Sequence, residues 1–457
     1  MTETTSTGPA EPAATPPGQP DRQLRRERRA WYTYDWANSA FYTTVIVVFL
    51  GPYLTSVAEN AKDANGLIHP LGLNIRPEAF YPYIVSLSVL LSVFTMPIAG
   101  ALADRTQRKR ELIAVCAAIG SAATMGLGTV EGDEYLLGGV LFVIANVAFA
   151  TSVVVYNSFL PDLADADERD KVSSRGWALG YIGGGLLLAG NLALFTSASA
   201  LGLSQTQAVQ FSLFSAGAWW AIFAGVSVFG LRNRLTDRDS SATLSSSIRH
   251  LLRGFASLRL YPKTLLFLAA YLLYNDGIQT VIAMSSVYGA QELGLPNDSL
   301  ITAILVVQFL AFFGALLLGW TASRFGAKRT LLVAIVVWMA TLGGAWLLPP
   351  GQPLWFFALA MLIGTVLGGS QALSRSVFSQ LIPAGREAEY FSIYEISDKG
   401  TSWLGPLIFG LTFDLTGSYR TSIISLAVLF AAGLALLAAT PLRAAIVAAG
   451  NTPPNRM

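Results

Sequence analysis

The segment WYTYDWANSAFYTTVIVVFLGPYL (31–54) places acid, amide and hydroxyl side chains at the start of an apolar run. One helix face takes up positions i, i+3, i+4 and i+7, which are held here by Asp35, Asn38, Ser39 and Tyr42. An ionisable group inside a bilayer costs several kcal/mol, roughly 2.5–3.5 on insertion scales, so it tends to face a cavity or a partner. We therefore expect a polar site on this helix. One alternative stays open, that Asp35 caps the helix or pairs with a loop arginine.

A second polar group lies in the segment EYFSIYEISDKGTSWLGPLIFG (389–410). Glu395 and Asp398 share a helix face at i, i+3, and Lys399 lies at the favourable i, i+4 position from Glu395. A buried carboxylate with a nearby cation can be tuned to exchange protons. The same spacing fits a cluster that is neutralised internally, and both interpretations stay open. The Gly-Pro pair at 405–406 interrupts the helical hydrogen bonds nearby and could supply a hinge.

Three further apolar segments carry polar side chains within one or two turns: Tyr156 and Asn157; Asn275, Asp276 and Gln279; Gln371 and Arg375. Arg375 could clamp a substrate carboxylate with paired hydrogen bonds, or reach the membrane interface as long basic side chains do. By contrast, the acids of DLADADERDKV (162–172) show no fixed ligand spacing, and we expect a solvated loop there. No metal site is expected, and the single Cys116 excludes a disulfide.

The composition is that of a polytopic membrane protein. Of the 457 residues, 53% are hydrophobic and 13% are charged, whereas a soluble domain carries about 25% charged residues. The mean hydropathy is +0.51. The net charge of +2 is too small to suggest a nucleic-acid partner. Residues 1–27 begin with a Thr-, Pro- and Ala-rich run and are expected to form a disordered tail.

A helix needs roughly 20 mostly apolar residues to cross a bilayer. Twelve segments qualify, near 31–56, 80–103, 111–130, 135–160, 174–197, 209–231, 263–290, 300–322, 330–348, 353–382, 390–415 and 419–440. The predicted fold is thus an all-α membrane protein with two six-helix bundles (28–231 and 263–440), a linker (232–262) and a C-terminal tail (441–457). Loops rich in Lys and Arg lie on one side, which places both termini in the cytoplasm.

The two bundles contain a repeated loop. GALADRTQRKR (100–110) aligns with GWTASRFGAKR at a shift of 219 residues, from 100 to 319. Two parallel six-helix halves with a cavity between them are typical of one large transporter class. We expect the glycine of each copy to admit a neighbouring helix, and Asp104 to face a helix N-terminus, whose dipole favours negative charge. Ser323 replaces this acid in the second copy. The predicted gating residues are Gly100, Asp104, Arg105, Arg108, Lys109, Gly319, Arg324, Lys328 and Arg329; two ordinary basic loops are the alternative.

At these residues the chain resembles the major facilitator superfamily. The motifs YDWANSAF, YNSFLPDLA, SSRGWALGYIGGG, SQALSRSVFSQLIP and DKGTSWLGP resemble its vacuole-effluxer-like subfamily, and the resemblance covers nearly all of 28–440. It implies a twelve-helix transporter that works by alternating access, with amino acids as the suggested substrate class. The matching motif positions include Asp35, Trp36, Asn38, Ser39, Gln371, Ser374, Arg375, Lys399, Gly405 and Pro406. Acids at both Glu395 and Asp398 depart from the family pattern, which implies a different substrate charge or ion coupling.

We therefore expect a secondary transporter of a small polar solute, with amino acids as the candidate class, in a bacterial cytoplasmic membrane. A transporter fold that serves as a sensor or a lipid scramblase is the alternative, because a fold does not fix a function. An enzyme is not expected, and without a GxxxxGK[ST] motif the chain does not itself hydrolyse ATP. No cofactor is expected, and proton coupling stays open. A monomer embedded in the lipid bilayer is expected to suffice.

Overall fold

The computed structural model describes residues 19–233, 259, 261–399 and 404–455, and helices account for most of them. The first part contains α1 (Gln19–Ala40), a π-helix (Phe41–Phe49), α2 (Leu50–Asn60), α3 (Pro77–Thr106), α4 (Lys109–Leu127), α5 (Tyr135–Asn157), α6 (Leu160–Leu163), α7 (Arg169–Thr196) and α8 (Gln205–Gly230). The second part contains α9 (Pro262–Gln291), α10 (Asn297–Phe325), α11 (Ala327–Leu347), α12 (Pro353–Gln380), α13 (Glu387–Lys399), α14 (Leu404–Thr416), α15 (Tyr419–Ser425), α16 (Ala427–Ala439) and α17 (Leu442–Ala448). Most of the predicted linker lies outside the described residues.

Eleven helical stretches within the described residues are long and apolar enough to cross a membrane. They agree with the predicted spans except near 390–415. There, α13 and the shorter apolar helix α14 replace the single predicted helix, and residues 400–403 between them lie outside the described part. The all-α, multi-pass fold predicted from the sequence is confirmed.

The buried apolar side chains form two clusters, one for each half of the chain. One cluster is drawn from residues 30–231 together with Ala388. The other is drawn from residues 267–446 together with Met96, Ala150 and Val154. The halves meet where α3 packs against α13, and where α7 packs against α10 and α12. Each half therefore has its own core, and the surfaces between them are free to carry polar groups.

Both ends of the described chain lie on one face of the molecule, called here the termini face, and the opposite one is the far face. Arg28 of α1 donates to the Leu163 carbonyl (2.7 Å), and the Asn455 backbone N–H donates to Asp167 (2.7 Å). Two expectations change. Residues 19–27 are helical rather than disordered, and the C-terminal segment forms the packed helix α17 rather than a free tail.

Candidate functional site

A cavity of about 870 Å³ separates the two halves. Its wall includes eleven of the predicted pathway residues: Asp35, Asn38, Ser39, Tyr42, Tyr156, Asn157, Gln279, Gln371, Arg375, Glu395 and Asp398. The rest of the wall is largely apolar and reaches the far ends of the C-terminal-half helices at Tyr288, Leu300 and Phe356. The cavity is thus a chamber with a charged floor, and its apolar walls extend towards the far face.

The floor of the cavity contains an ion pair between the two halves. Asp35 of α1 is buried and lies 3.4 Å from the guanidinium of Arg375 on α12. The Tyr156 hydroxyl donates to the same carboxylate oxygen at 2.6 Å. The loop-arginine alternative for Asp35 is therefore wrong, because its cationic partner belongs to a membrane helix of the other half.

The guanidinium of Arg375 is held by the N-terminal half on every side that the structure describes. It donates to the Ser173 hydroxyl (2.9 Å), to the Ser173 carbonyl (2.8 Å) and to the Asn157 amide oxygen (3.3 Å). Its carbon atom also lies 4.8 Å from the ring centroid of Trp31 and 5.4 Å from that of Trp177. The side chain is only 2% exposed, so it does not reach the membrane interface.

The two acids on α13 both line the cavity and have different partners. Glu395 accepts from the Asn157 amide at 2.9 Å, which links it to the group around Arg375. Asp398 accepts from the Tyr271 hydroxyl (3.1 Å) and from the Asn275 amide. Whether Lys399 neutralises either acid stays a prediction, because its side chain lies outside the described part.

Two predicted pathway residues on α9 do not line the cavity. Asn275 is 2% exposed and supports Asp398 from behind. Asp276 is 1% exposed and accepts from the backbone N–H of Gly405 at 2.6 Å. Only Gln279 of this helix segment reaches the cavity wall as expected. Asp276 and Gln279 are three positions apart and therefore only about 60° apart around the helix. Their different surroundings come from α14, which presents the Gly405 N–H to Asp276.

A row of glycines on α7 positions the polar face of α1. A Cβ atom at Gly176 would lie 2.6 Å from an Asp35 carboxylate oxygen, and one at Gly180 would lie 2.7 Å from the Ser39 hydroxyl. Larger residues would therefore push α1 away from the cavity floor. The sequence interpretation predicted a span here and used the motif SSRGWALGYIGGG for the family resemblance, but it gave no role to the glycines, which repeat at the four-residue spacing of a helix face.

The same helix contributes site residues that the sequence interpretation did not single out. Ser173 holds Arg375, Trp177 and Tyr181 line the cavity, and the Tyr181 hydroxyl donates to the Gln371 side chain. These residue types are common in ordinary membrane helices. Their importance comes from facing charged groups that lie about 200 positions away in the chain, between Ser173 and Arg375 for example.

The first repeated loop closes the termini face. Asp104 accepts from the backbone N–H groups of Ala388 (3.1 Å) and Glu389 (2.9 Å), which are the unpaired donors at the start of α13. A Cβ atom at Gly100 would lie 2.5 Å from the Ala388 carbonyl oxygen. This is the geometry expected from the sequence, with a glycine at the close contact and an acid at a helix N-terminus. Lys109 lies nearby and binds the Ser158 carbonyl and Asp162, both at 3.0 Å.

The second repeated loop meets the other half differently. A Cβ atom at Gly319 would lie 2.4 Å from the Ser174 hydroxyl oxygen on α7. Ser323 is exposed and donates to the Trp320 carbonyl of its own helix. Lys328 donates to the carbonyls of Ala438 and Thr440 at 2.8 Å, so it caps the end of α16 within its own half.

The other predicted gating arginines lie at the edge of the termini face. Arg108, Arg324 and Arg329 are exposed, and Arg105 is partly buried in the last turn of α3. Arg324 also stacks on Trp320, with 5.7 Å between the guanidinium carbon and the ring centroid. None of these four positions is in the cavity wall.

Between the two loops, polar groups connect α7 with α12. Arg169 donates to the Ser379 carbonyl (2.8 Å), Ser173 donates to the Ala372 carbonyl (2.7 Å), and Ser376 donates to Asp170 (2.6 Å). We call these three bonds the α7–α12 ladder. The expectation of a solvated loop over 162–172 is therefore wrong for two of its acids. Asp162 pairs with Lys109, and Asp170 is buried between the halves.

Comparisons with known proteins agree with this architecture. The family described as "Vacuole effluxer Atg22 like" matches residues 23–450. An uncharacterized MFS-type transporter, YxiO of Bacillus subtilis (strain 168), is 31% identical over 92% of this chain and 96% of its own length. Autophagy-related protein 22-1 of Penicillium rubens is 27% identical over 92% of this chain and 91% of its own.

A solved structure shows the same fold. The crystal structure of a single-residue variant of the Escherichia coli fucose:proton symporter FucP superposes with a TM-score of 0.67 at 14% identity, covering 91% of this chain and 98% of that one. By their names, the Bacillus relative is an MFS-type transporter and the structural neighbour is a proton symporter. The chain belongs to the Atg22-like vacuole effluxer family of major facilitator transporters.

Proposed function

We propose that this protein is a secondary active transporter of a small polar solute that carries a carboxylate, with amino acids as the candidate class. One observation carries the proposal. The charged floor of the cavity is also the place where the two halves are joined, through the contacts of Arg375 with Asp35, Asn157 and Ser173. A solute bound there acts directly on the contact that keeps one face closed.

Alternating access follows from how Arg375 is held. Its guanidinium is 3.4 Å from Asp35, longer than the roughly 2.8 Å of a strong charge-assisted hydrogen bond. A substrate carboxylate that binds the guanidinium in a paired geometry competes with Asp35 for it. Loss of the Asp35 contact weakens the link between α1 and α12, and the α7–α12 ladder lies directly beneath it. Substrate binding therefore favours opening of the termini face.

We also propose the orientation and the membrane. The basic loop residues cluster on the termini face, where the inner surface of a cell membrane favours Lys and Arg. This distribution supports a cytoplasmic location for both termini, with the cavity of the present conformation open towards the outside. The arginine- and alanine-rich composition favours a bacterial cytoplasmic membrane. A monomer supplies every residue of the floor described above.

Uptake of a labelled amino-acid mixture into liposomes that contain the purified protein tests the proposal. We expect saturable uptake in the wild type and a loss of at least about tenfold in Arg375→Lys, because lysine cannot make the paired contact. The matched control is Arg443→Gln, an exposed arginine on α17, with unchanged uptake.

Two results would count against the proposal. Equal uptake by Arg375→Lys and the wild type would show that no substrate carboxylate binds Arg375 at the floor of the cavity. Absence of amino-acid uptake in the wild type, with labelled lipid moving between leaflets instead, would favour the scramblase alternative.

A further inference from the structure

Asp276 is a buried carboxyl group that the proposed transport mechanism does not use. It lies midway along the span Pro262–Ser285 and is 1% exposed. One carboxylate oxygen, Oδ2, accepts from the Gly405 N–H at 2.6 Å. The other oxygen, Oδ1, is buried and has no hydrogen-bond partner among the described residues.

The close approach of α14 makes this contact possible. A Cβ atom at Gly405 would lie 2.0 Å from the Thr280 hydroxyl oxygen and 3.2 Å from the Asp276 carbonyl oxygen. Only glycine therefore lets the first turn of α14 present its N–H to Asp276. The next residue is Pro406, which has no N–H to donate. Among the described residues, the Gly405 N–H is the donor from α14 that reaches Asp276.

Within the described residues, the surroundings of Asp276 supply no charge to balance an ionised carboxylate. Its own helix carries Tyr271 and Tyr274, and its neighbour Asn275 is bound to Asp398 of α13. The helix packed on the other side, α16, contains no titratable residue, and its Phe430 covers Gly277. No ion pair within the described residues includes Asp276. The side chain of Lys399 lies outside the described part.

An ionised carboxylate and a neutral carboxyl group differ in what they need. The ionised form accepts at about four positions, and burying it with a single donor costs several kcal/mol. The neutral form accepts at its carbonyl oxygen and can donate one hydrogen bond from the O–H on the other oxygen, and leaving that one bond unmade costs less than burying the charge. Asp35 is in surroundings that suit the ionised form, because Tyr156 donates a hydrogen bond to it and Arg375 supplies a cation. The geometry at Asp276 therefore favours the neutral form over the ionised one.

We propose that Asp276 is a proton-binding site, separate from the solute cavity, that holds a proton on Oδ1 while α14 is packed against α9. The proton comes from water and forms an O–H bond at Oδ1, while Oδ2 remains the carbonyl that accepts from Gly405. Separation of α14 from α9 exposes Oδ1 to water, and the proton leaves there. The site thus couples proton release to movement of this helix pair. Its role in coupling rests on the proposed transport function, whereas the presence of the proton does not.

Infrared difference spectra of the purified protein between acid and alkaline buffer test the bound proton directly. We expect a carbonyl-stretch band of a protonated carboxylic acid that is present in the wild type, retained in Asp35→Asn and absent from Asp276→Asn. A band that persists unchanged in Asp276→Asn would overturn the proposal. If that variant does not fold, Asp276→Glu retains a carboxyl group, and an unshifted band would overturn the proposal equally.

Flux measurements separate this proposal from the proposed function. With the labelled amino-acid mixture, Asp276→Asn is expected to keep exchange without a gradient and to lose accumulation driven by a proton gradient. Gradient-driven accumulation at the wild-type level would overturn the coupling role. Absence of any flux in the wild type would contradict the transport function, while the infrared band would still decide whether Asp276 holds a proton.

Discussion

The two copies of the repeated loop occupy matching positions and contact the opposite half by different means. In the first copy, Gly100 lies against the backbone of Ala388, and Asp104 accepts from the N-terminus of α13. In the second copy, Gly319 lies against the side chain of Ser174, and Ser323 bonds only within its own helix. Close packing at a glycine is therefore the shared element, and the acid belongs only where a helix N-terminus faces it.

The largest expected effect comes from adding a methyl group at each glycine. In Gly100→Ala the new Cβ would meet a backbone carbonyl, which cannot turn away, so we expect the closed state to lose about 2–3 kcal/mol. In Gly319→Ala the new Cβ would meet the Ser174 side chain, 2.4 Å from its oxygen and 2.5 Å from its Cβ. Removing that side chain in Gly319→Ala/Ser174→Gly is expected to restore closure. No side-chain change can rescue Gly100→Ala in the same way.

Thiol labelling measures these effects, because Cys116 is the only native cysteine and can be replaced by serine. Ser379→Cys reports on the termini face, since Ser379 is 1% exposed between the halves. Val47→Cys reports on the cavity, where Val47 is 46% exposed. Opening of the termini face should raise maleimide labelling at position 379 and lower it at position 47. Full rescue of Gly100→Ala by a side-chain deletion on α13 would show that Gly100 is limited by a side chain, as Gly319 is, and not by the backbone.

The next largest effect is expected from the charge of Asp104, which the second loop lacks because Ser323 takes its place. Asp104→Asn keeps one acceptor oxygen where two N–H groups are presented and removes a negative charge from a helix N-terminus, which together cost about 1 kcal/mol. Labelling at Ser379→Cys should therefore rise about fivefold. The matched change Ser323→Asp should leave labelling unchanged, because Ser323 is exposed and contacts its own helix. Equal labelling in Asp104→Asn and the wild type would show that the acid does not contribute to closure.

The two lysines that follow the glycines are expected to affect the stability of the fold rather than closure of the termini face. Lys109→Gln removes the partly buried ion pair with Asp162, so we expect a loss of about 1–2 kcal/mol of stability. Lys328→Gln loses charge-assisted bonds to two carbonyl groups, which an amide can partly replace, and should cost less than about 1 kcal/mol. Thermal unfolding in detergent compares the two variants. A larger loss in Lys328→Gln would mean that the contact with α16 outweighs the ion pair.

The repeated loop also shows how far the sequence could lead. Its glycine, acid and spacing were enough to predict the contact of Asp104 with a helix N-terminus, and hydrophobic length was enough to predict most of the spans. The sequence could not show that Asp276 contacts α14 rather than the cavity, because its hydrogen-bond donor, the Gly405 N–H, lies 129 positions away in the chain. The α7–α12 ladder was missed for another reason. Serine hydroxyls and backbone carbonyls have no sequence signature, and their partners come from distant segments.

The smallest predicted effect concerns Asn451 of the C-terminal segment, which lies beside the first loop. Asn451 lines a cavity of about 270 Å³ together with Asp104 and Lys109, and its amide donates to the carbonyls of Gln380 (2.9 Å) and Ile382 (2.7 Å). Asn451→Ala removes two neutral hydrogen bonds near the surface, so labelling at Ser379→Cys should rise by only about two- to threefold.

Adding Asn451→Ala to Gly100→Ala should give less than the sum of the separate free-energy changes, since both act on the same closed contact. Adding it to Gly319→Ala should give the full sum, because Gly319 packs on α7 and lies outside that small cavity. Additivity with Gly100→Ala, measured by the same labelling, would show that the C-terminal segment acts independently of the first loop.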